Sequence, residues 1–279
     1  MLSVSATWLG LAILVPRHDV LLGESVMRKL HNLIYDWADI GIIMSEQLEG
    51  FYRGGGDSRS IAQRLGELKS QGCVTVATGE AKPEAFQAVC RRMFGDPHLD
   101  RRRLLVTFKQ DSQSESWLPA DLTPAHRSVM IRDRSDAVRR VMETVRAEPT
   151  SEAAHEVARP HLDAVAGDVL DAAGAIVAPQ PGQLRVVVLR PDYLFPDPDK
   201  QQLSSLTTFV DRLRTLMQRF SGMVLLVVPE TEDSRVAERL STEADVHFEV
   251  RSNEKFVEQR VIIAPRQTDE VSTDWHTLP

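Results

Sequence analysis

The sequence predicts a doubly wound α/β fold: a mostly parallel sheet with helices on both faces and a C-terminal antiparallel hairpin. From residue 72 onward, short apolar segments alternate with longer amphipathic ones, which is typical of a parallel sheet covered by helices. The apolar segments are nearly continuous, as are strands that are buried on both faces. The last two strand-like segments are separated by a short polar turn, which indicates a hairpin.

The elements of the first half have recognisable start and stop signals. A helix over 58–70 can begin at a cap, either Asp57 or Ser58, and can end at Gly72. The elements predicted after it are a strand at 73–77, a turn at Thr78 and Gly79, a helix at 83–94, strands at 103–108 and 128–131, a helix at 135–146, and two Ala-rich helical stretches separated by Pro160 between residues 148 and 180.

The C-terminal third carries the clearest pattern. A strand that is apolar except for Arg185 is followed by an amphipathic helix, a glycine stop and a fully apolar strand. Two shorter strands joined by a polar turn complete it. The predicted elements are a turn at 179–182, a strand at 184–189, a helix at 203–220, a strand at 223–228, a helix at 234–240, and strands at 245–250 and 256–263 with a turn at 252–254.

The pattern divides the chain into an N-terminal helical or flexible segment (1–56), an α/β domain (57–266) and a C-terminal tail (267–279). Apolar residues at helical spacing over 24–43 give way to a polar, glycine-rich stretch. Two hypotheses stay open for this segment. Either translation starts at Met44 and residues 1–43 belong to an overlong gene model, or these residues form a packed or mobile helix.

Composition excludes several classes of protein. The chain has 279 residues, 42% of them hydrophobic, and a net charge of -7. This content excludes wholesale disorder, and the charge argues against nucleic-acid binding through overall electrostatics. Two cysteines, Cys73 and Cys90, predict buried core residues in a reducing cytoplasm. The apolar stretch at 8–16 is well short of the ~20 residues that a membrane span needs, so no membrane partner is predicted.

The layout of residues 72–266 resembles a RecA/KaiC-type core. It is similar to a group of uncharacterised haloarchaeal KaiC-like proteins, in which a glycine before the first strand (Gly72), a Thr-Gly pair after it (Thr78 and Gly79) and a tryptophan near the C-terminus (Trp275) recur. In that family the first strand leads into a phosphate-binding loop, and a later apolar strand carries an acidic, metal-binding Walker B residue. The resemblance implies that the strand at 184–189 corresponds to the Walker B strand.

The phosphate-binding loop of that family is missing. A Walker A loop has the pattern G-x-x-x-x-G-K-[ST], because glycine lets backbone N–H groups surround the phosphates, lysine neutralises them and the hydroxyl binds Mg²⁺. Counted from Gly79, the last three places hold Glu84, Ala85 and Phe86. Lys82 could substitute for the lysine, but it is more simply explained as a solvated side chain.

The Walker B position is degenerate as well. Leu189 stands about where the carboxylate is expected, and Asp192 follows Arg190 beyond Pro191. Asp192 could approach a ligand at the carboxyl edge of the sheet, or it could be a turn residue. If ATP and Mg²⁺ bind at all, the candidate residues are Thr78, Gly79, Lys82 and Asp192; no other cofactor and no protein-held metal are predicted.

Arginines cluster near the ends of the first three predicted strands. They could form a cationic rim for an anionic partner such as nucleic acid, or a solvated face balanced by nearby aspartates. The first group is Arg91, Arg92, Arg101, Arg102 and Arg103, and the second is Arg132, Arg134, Arg139 and Arg140.

These features lead to three functional hypotheses. The leading one is a non-catalytic, degenerate RecA/KaiC-like module that acts in regulation by binding another protein or a second copy of itself. The second is a divergent nucleotide-binding ATPase that uses the loop after Gly79. The third is a nucleic-acid-binding regulator that uses the arginine rim.

Overall fold

The structure, a computed structural model, describes residues 58–109, 113–148, 150–176, 180–196, 198–229, 234–252, 256–263 and 271–277. The helices are α1 (Ser58–Gln71), α2 (Pro83–Phe94), α3 (Ser135–Ala147), α4 (Ser151–Gly174), α5 (Lys200–Phe220) and α6 (Arg235–Glu243). The strands are β1 (Cys73–Gly79), β2 (Arg102–Thr107), β3 (Val129–Asp133), β4 (Leu184–Leu189), β5 (Met223–Pro229), β6 (Val246–Ser252), β7 (Val257–Ile263), β8 (Val271–Ser272) and β9 (His276–Thr277).

Within the described residues, the strands form one sheet in the order β3-β2-β4-β5-β1-β6-β7, and β8 and β9 both pair with the outer side of β7. Strands β1 to β6 all run parallel to one another, and β7 is antiparallel to β6. The register places Leu105 opposite Val187 and Val187 opposite Leu225. The predicted parallel sheet with an antiparallel C-terminal hairpin is therefore confirmed.

Helices cover both faces of this sheet, as the sequence predicts. One face packs against α3, α4, α5 and α6, and its core includes Val76, Val106, Val188 and Leu226. The other face packs against α2, and its core includes Phe86, Leu105, Val187 and Leu225. Consecutive strand residues alternate between the two cores, which is why the central strands need apolar side chains at nearly every position.

Gly72 joins α1 to β1 where the chain passes very close to α5. Its N–H donates to the carbonyl of Leu68 at 2.9 Å, which closes the last turn of α1. Its φ is +92°, and an added Cβ would lie 2.2 Å from the carbonyl oxygen of Met217. The predicted helix stop is confirmed, and the close approach of α5 explains why the residue has no side chain.

The prediction of two helical stretches separated by Pro160 is wrong. Helix α4 is continuous from Ser151 to Gly174, with Pro160 inside it. A proline removes the hydrogen bond to the carbonyl four residues earlier, here that of Glu156. Both residues are exposed, so water can satisfy that carbonyl, while Leu162 and Val165 hold the opposite face in the core.

Two helices differ from the predicted bounds. Helix α5 begins three residues early, because Asp199 and Gln202 form a capping box at its start. Helix α6 extends to Glu243, and Ser234 caps it by accepting a hydrogen bond from the N–H of Ala237 at 3.2 Å. The apolar pattern of α5 starts only at Leu203, so it does not indicate the polar first turn of the helix.

Part of the predicted tail is a strand. Residues 271–277 pair with β7 through β8 and β9. The predicted helix at 24–43, the alternative start at Met44 and most of the 252–254 turn lie outside the described residues. None of the described helices is long and apolar enough to cross a membrane.

Candidate functional site

The candidate site is the carboxyl edge of the sheet between β1 and β5. These strands are neighbours, but β1 leads into α2 on one face, whereas β5 leads toward α6 on the other. Ligands of open α/β sheets bind in the crevice that such a divergence creates. The end of β4, which lies next to β5, also borders this crevice.

The loop after β1 is too short to surround a phosphate. Strand β1 ends at Gly79 and α2 begins at Pro83, so residues 80–82 alone connect them. A Walker A loop places five residues between its first glycine and its lysine. Two hydrogen bonds also hold this loop to Ser252 of β6: the N–H of Ser252 donates to Glu80 O at 3.0 Å, and the N–H of Lys82 donates to Ser252 Oγ at 3.1 Å.

The start of α2 is poorly suited to an anion. Helix N-termini bind phosphate through free N–H groups and the positive end of the helix dipole. Pro83 has no N–H, and the N–H of Ala85 donates to the carbonyl of Lys82 at 3.0 Å. Glu84 adds a carboxylate to the first turn. Lys82 is exposed at the N-cap and makes no side-chain cap.

Thr78 and Gly79 lie at the end of β1, where that strand packs closely on β6. Gly79 has a φ of +127°, and a Cβ at this position would lie 1.9 Å from the carbonyl oxygen of Val250. Thr78 is fully buried, and its Oγ1 lies 2.8 Å from Nε2 of His247 on β6. Burial lowers the pKa of His247 below its usual value. Both residues thus join β1 to β6.

Asp192 is bound by the neighbouring Arg190. The Arg190 guanidinium donates to both carboxylate oxygens, at 3.0 Å from Nε to Oδ1 and 2.6 Å from Nη2 to Oδ2. It also stacks on the ring of Tyr193 at 4.0 Å. The backbone of Arg190 is left-handed (φ 58°), and its N–H donates to Val227 O on β5 at 2.9 Å. Burial raises the pKa of Asp192, and the bond to Arg190 opposes that shift.

The sequence candidates lie at the ends of two strands that are not direct neighbours. Thr78, Gly79 and Lys82 follow one another at the end of β1, with Thr78 turned into the core. Asp192 lies beyond the end of β4, and β5 separates β4 from β1. A Mg²⁺ ion at Asp192 would compete with a guanidinium for the same oxygens, and in the described part of the chain no cluster of three His, Cys, Asp or Glu side chains could hold a metal.

The first arginine group lies at the opposite, amino edge of the sheet, and two of its members are buried. Arg103 is fully buried and donates to the carbonyls of Phe94, Arg101 and Asp96 and to Ser128 Oγ. Arg101 is 6% exposed. The prediction that all members are solvated, or available to an anionic partner, is wrong for these two residues.

The remaining arginines of this group are hydrogen-bonded to backbone carbonyls or partly buried. Arg91 donates twice to the carbonyl of Ser116, at 3.0 and 2.7 Å. Arg102 donates to the carbonyl of Arg127. Burial lowers the pKa of Arg92. Guanidinium groups of this arginine group thus satisfy backbone carbonyls, both between α2 and β2 and in the connection from β2 to β3.

The second arginine group is balanced by a buried carboxylate that the sequence did not indicate. Asp168 of α4 is 4% exposed and accepts two hydrogen bonds from Arg134 Nη2, both at 2.6 Å, with Arg132 Nε at 3.3 Å. Arg139 pairs with Asp136 on the exposed surface at 2.7 Å. Helical spacing on α4 shows that Asp168 lies near the buried face, but not which arginines it meets.

Residues 72–250 match the model of a family of unknown function, DUF7504. The matched span contains β1 to β5 and most of β6, and therefore the loop after β1, the Arg190–Asp192 pair and both arginine groups. The hairpin strand β7 and the segment that covers it lie beyond the span. No curated protein matches the chain.

Proposed function

We propose that this chain, which belongs to the DUF7504 family, is a RecA/KaiC-like regulatory module that binds protein and does not bind nucleotide. The observation that carries the proposal is that the groups at the carboxyl edge already have partners within the protein. The loop at 80–82 is hydrogen-bonded to β6, and Arg190 donates to both carboxylate oxygens of Asp192. We call this edge closed. A module of this kind keeps a scaffold and an interaction surface after its ligand has been lost.

The order of elements supports the RecA/KaiC-like part of the proposal. Apolar strand β4, helix α5 and apolar strand β5 follow one another as in the Walker B region of that family, and β4 ends in the turn that carries Asp192. The β6–β7 hairpin closes the domain near the far edge of the sheet. The similarity lies in the order of strands and helices, whereas the side chains that would bind nucleotide and metal differ from those of the family.

ATP and Mg²⁺ do not fit the residues present. Triphosphate needs several N–H donors and a lysine that converge on one point, and Mg²⁺ needs carboxylate or hydroxyl oxygens with room for water. The described edge offers a three-residue loop, a proline at the first position of α2 and an aspartate bound by arginine. No catalytic step is therefore assigned to this site.

Protein binding is favoured because the same edge is exposed and of mixed charge. Glu80, Lys82 and Glu84 are exposed beside the end of β1, and Lys109 is exposed after β2. RecA-type domains normally self-associate by laying one protomer against the neighbour's nucleotide site, and loss of nucleotide need not remove that surface. A second copy is therefore the first partner to test.

Charge reversal on this edge tests the proposal. We expect the double variant Lys82→Glu/Lys109→Glu to weaken self-association about tenfold, because two attractive contacts at the interface become repulsive. Arg127→Glu, another exposed charge, just before the amino end of β3, is the control and should leave association unchanged. The measurement is light scattering over a concentration series, with a pull-down to recover other partners.

A wild-type protein that stays strictly monomeric and recovers no partner would contradict the proposal. So would a loss of association that is as large in Arg127→Glu as in the double variant, since it would show a general charge effect. Salt-dependent binding to DNA by the same samples would instead support the nucleic-acid hypothesis.

A further inference from the structure

Residues 271–277 cover the outer edge of β7. Ser272 lies opposite Ile262 and Val271 opposite Ile263, while His276 lies opposite Gln259. Between these ladders, the N–H of Thr273 donates to the carbonyl of Val261 at 2.9 Å. This segment, called here the edge segment, therefore satisfies a strand edge that would otherwise be open to pairing with another chain.

The edge segment contains a bulge at Asp274 and Trp275. Thr273 is bonded to Val261 and His276 lies opposite Gln259, so two residues of the segment face the single residue Arg260. The N–H of Val261 also donates to Thr273 Oγ1 at 2.9 Å. Bulges of this kind redirect a side chain, and here the redirected side chain is Trp275.

Trp275 lies on two arginines of the hairpin. Its ring centre is 3.9 Å from the guanidinium carbon of Arg251 on β6 and 5.2 Å from that of Arg260 on β7. Both arginines are ion-paired across the hairpin, Arg251 with Glu258 and Arg260 with Glu249. The two arginines thus form a cation–π contact surface for the Trp275 ring, called here the Arg251–Arg260 platform.

The edge segment contains no fully buried residue. Each of its seven residues is exposed or half-buried, whereas six of the seven residues of β5 are buried. Segments with few buried contacts open locally at a lower free energy than the core of the same protein. We therefore expect the edge segment to leave β7 while the parallel sheet stays folded.

We propose that the edge segment exchanges between copies, so that residues 271–277 of one chain pair with β7 and the Arg251–Arg260 platform of a second copy. A second copy offers the same register, the same bulge and the same platform, so the contacts fit without change. Reciprocal exchange gives a closed twofold dimer. This surface is separate from the carboxyl edge, and the proposal stands whether or not that edge binds protein.

Cysteine pairs in register test the exchange. The native Cys73 and Cys90 are buried, so introduced thiols react selectively. Mixing a Gln259→Cys protein with a His276→Cys protein should give a disulfide-linked heterodimer, because these positions face each other in the ladder. Mixing Glu258→Cys with His276→Cys is the control, since neighbouring strand residues point to opposite faces. We expect about fivefold more dimer in the first mixture, forming faster at higher protein concentration.

The double variant Gln259→Cys/His276→Cys in one chain shows whether the segment occupies the edge. If it cross-links within the chain while the mixture gives no dimer above the control, exchange does not occur and the proposal is overturned. If neither cross-links, the segment does not pair with β7, and the proposal is overturned as well. Should circular dichroism show that a His276 variant is unfolded, Ile262→Cys with Ser272→Cys provides a second pair in register.

Discussion

Replacing Gly79 by alanine is expected to lower the free energy of unfolding by about 3 to 5 kcal/mol. The backbone there has a φ of +127°, which side-chain-bearing residues rarely adopt, and the new Cβ would lie 1.9 Å from Val250 O. Relief requires β1 and β6 to separate at their carboxyl ends, where Thr78 also meets His247. Urea denaturation followed by circular dichroism measures the change.

Gly167→Ala is the matched control. Gly167 is exposed within α4, and an added Cβ would meet no atom within 4 Å. Since alanine is the better helix former, this variant should be more stable by about 0.5 to 1 kcal/mol. A Gly79→Ala protein as stable as wild type would show that β1 does not pack so closely on Val250. A loss of stability as large as expected would show that the packing of β1 on β6 requires glycine at this position.

Replacing Arg103 by methionine is expected to destabilise the protein by about 3 kcal/mol or more. The side chain is fully buried, and its removal leaves the carbonyls of Phe94, Arg101 and Asp96 without this donor. Burial lowers the pKa of Arg103 to about 10, so the group is still protonated at neutral pH. Methionine keeps much of the volume, which makes the lost hydrogen bonds the main cause.

Arg139→Met is the control for loss of an arginine. Its side chain is 66% exposed and pairs with an exposed Asp136, so its removal should change stability by no more than about 0.5 kcal/mol. Equal effects of the two substitutions, measured by thermal and urea unfolding, would contradict a structural role for Arg103. The expected difference would also show that part of the arginine run near β2 serves the fold.

Most of the fold could be predicted because its signals are local. Short β-branched apolar segments such as 184–189, which is interrupted only by Arg185, are strands with few alternatives, and the predicted bounds of this strand and of α2 agree with the structure. Signals that depend on solvent exposure were less reliable. A proline such as Pro160 is better tolerated inside a helix where the carbonyl four residues earlier can reach water, and local sequence signals do not show whether it can.

The sequence shows which residues of a phosphate-binding loop are missing from the candidate site, but not the contacts that the site makes instead. The missing lysine, hydroxyl and second glycine of a phosphate loop are visible in the sequence. The contacts that close the edge join residues far apart in sequence, such as Lys82 with Ser252 and Thr78 with His247. Arg190 and Asp192 are close in sequence, but their pairing depends on a left-handed backbone that no propensity favours for arginine.

Calorimetric titration of the wild-type protein and of Lys82→Ala with ATP and Mg²⁺ shows whether the carboxyl edge admits nucleotide, because the substitution lies at that edge. We expect no heat beyond that of dilution, with wild type and Lys82→Ala indistinguishable. Micromolar binding that Lys82→Ala abolishes would contradict that expectation.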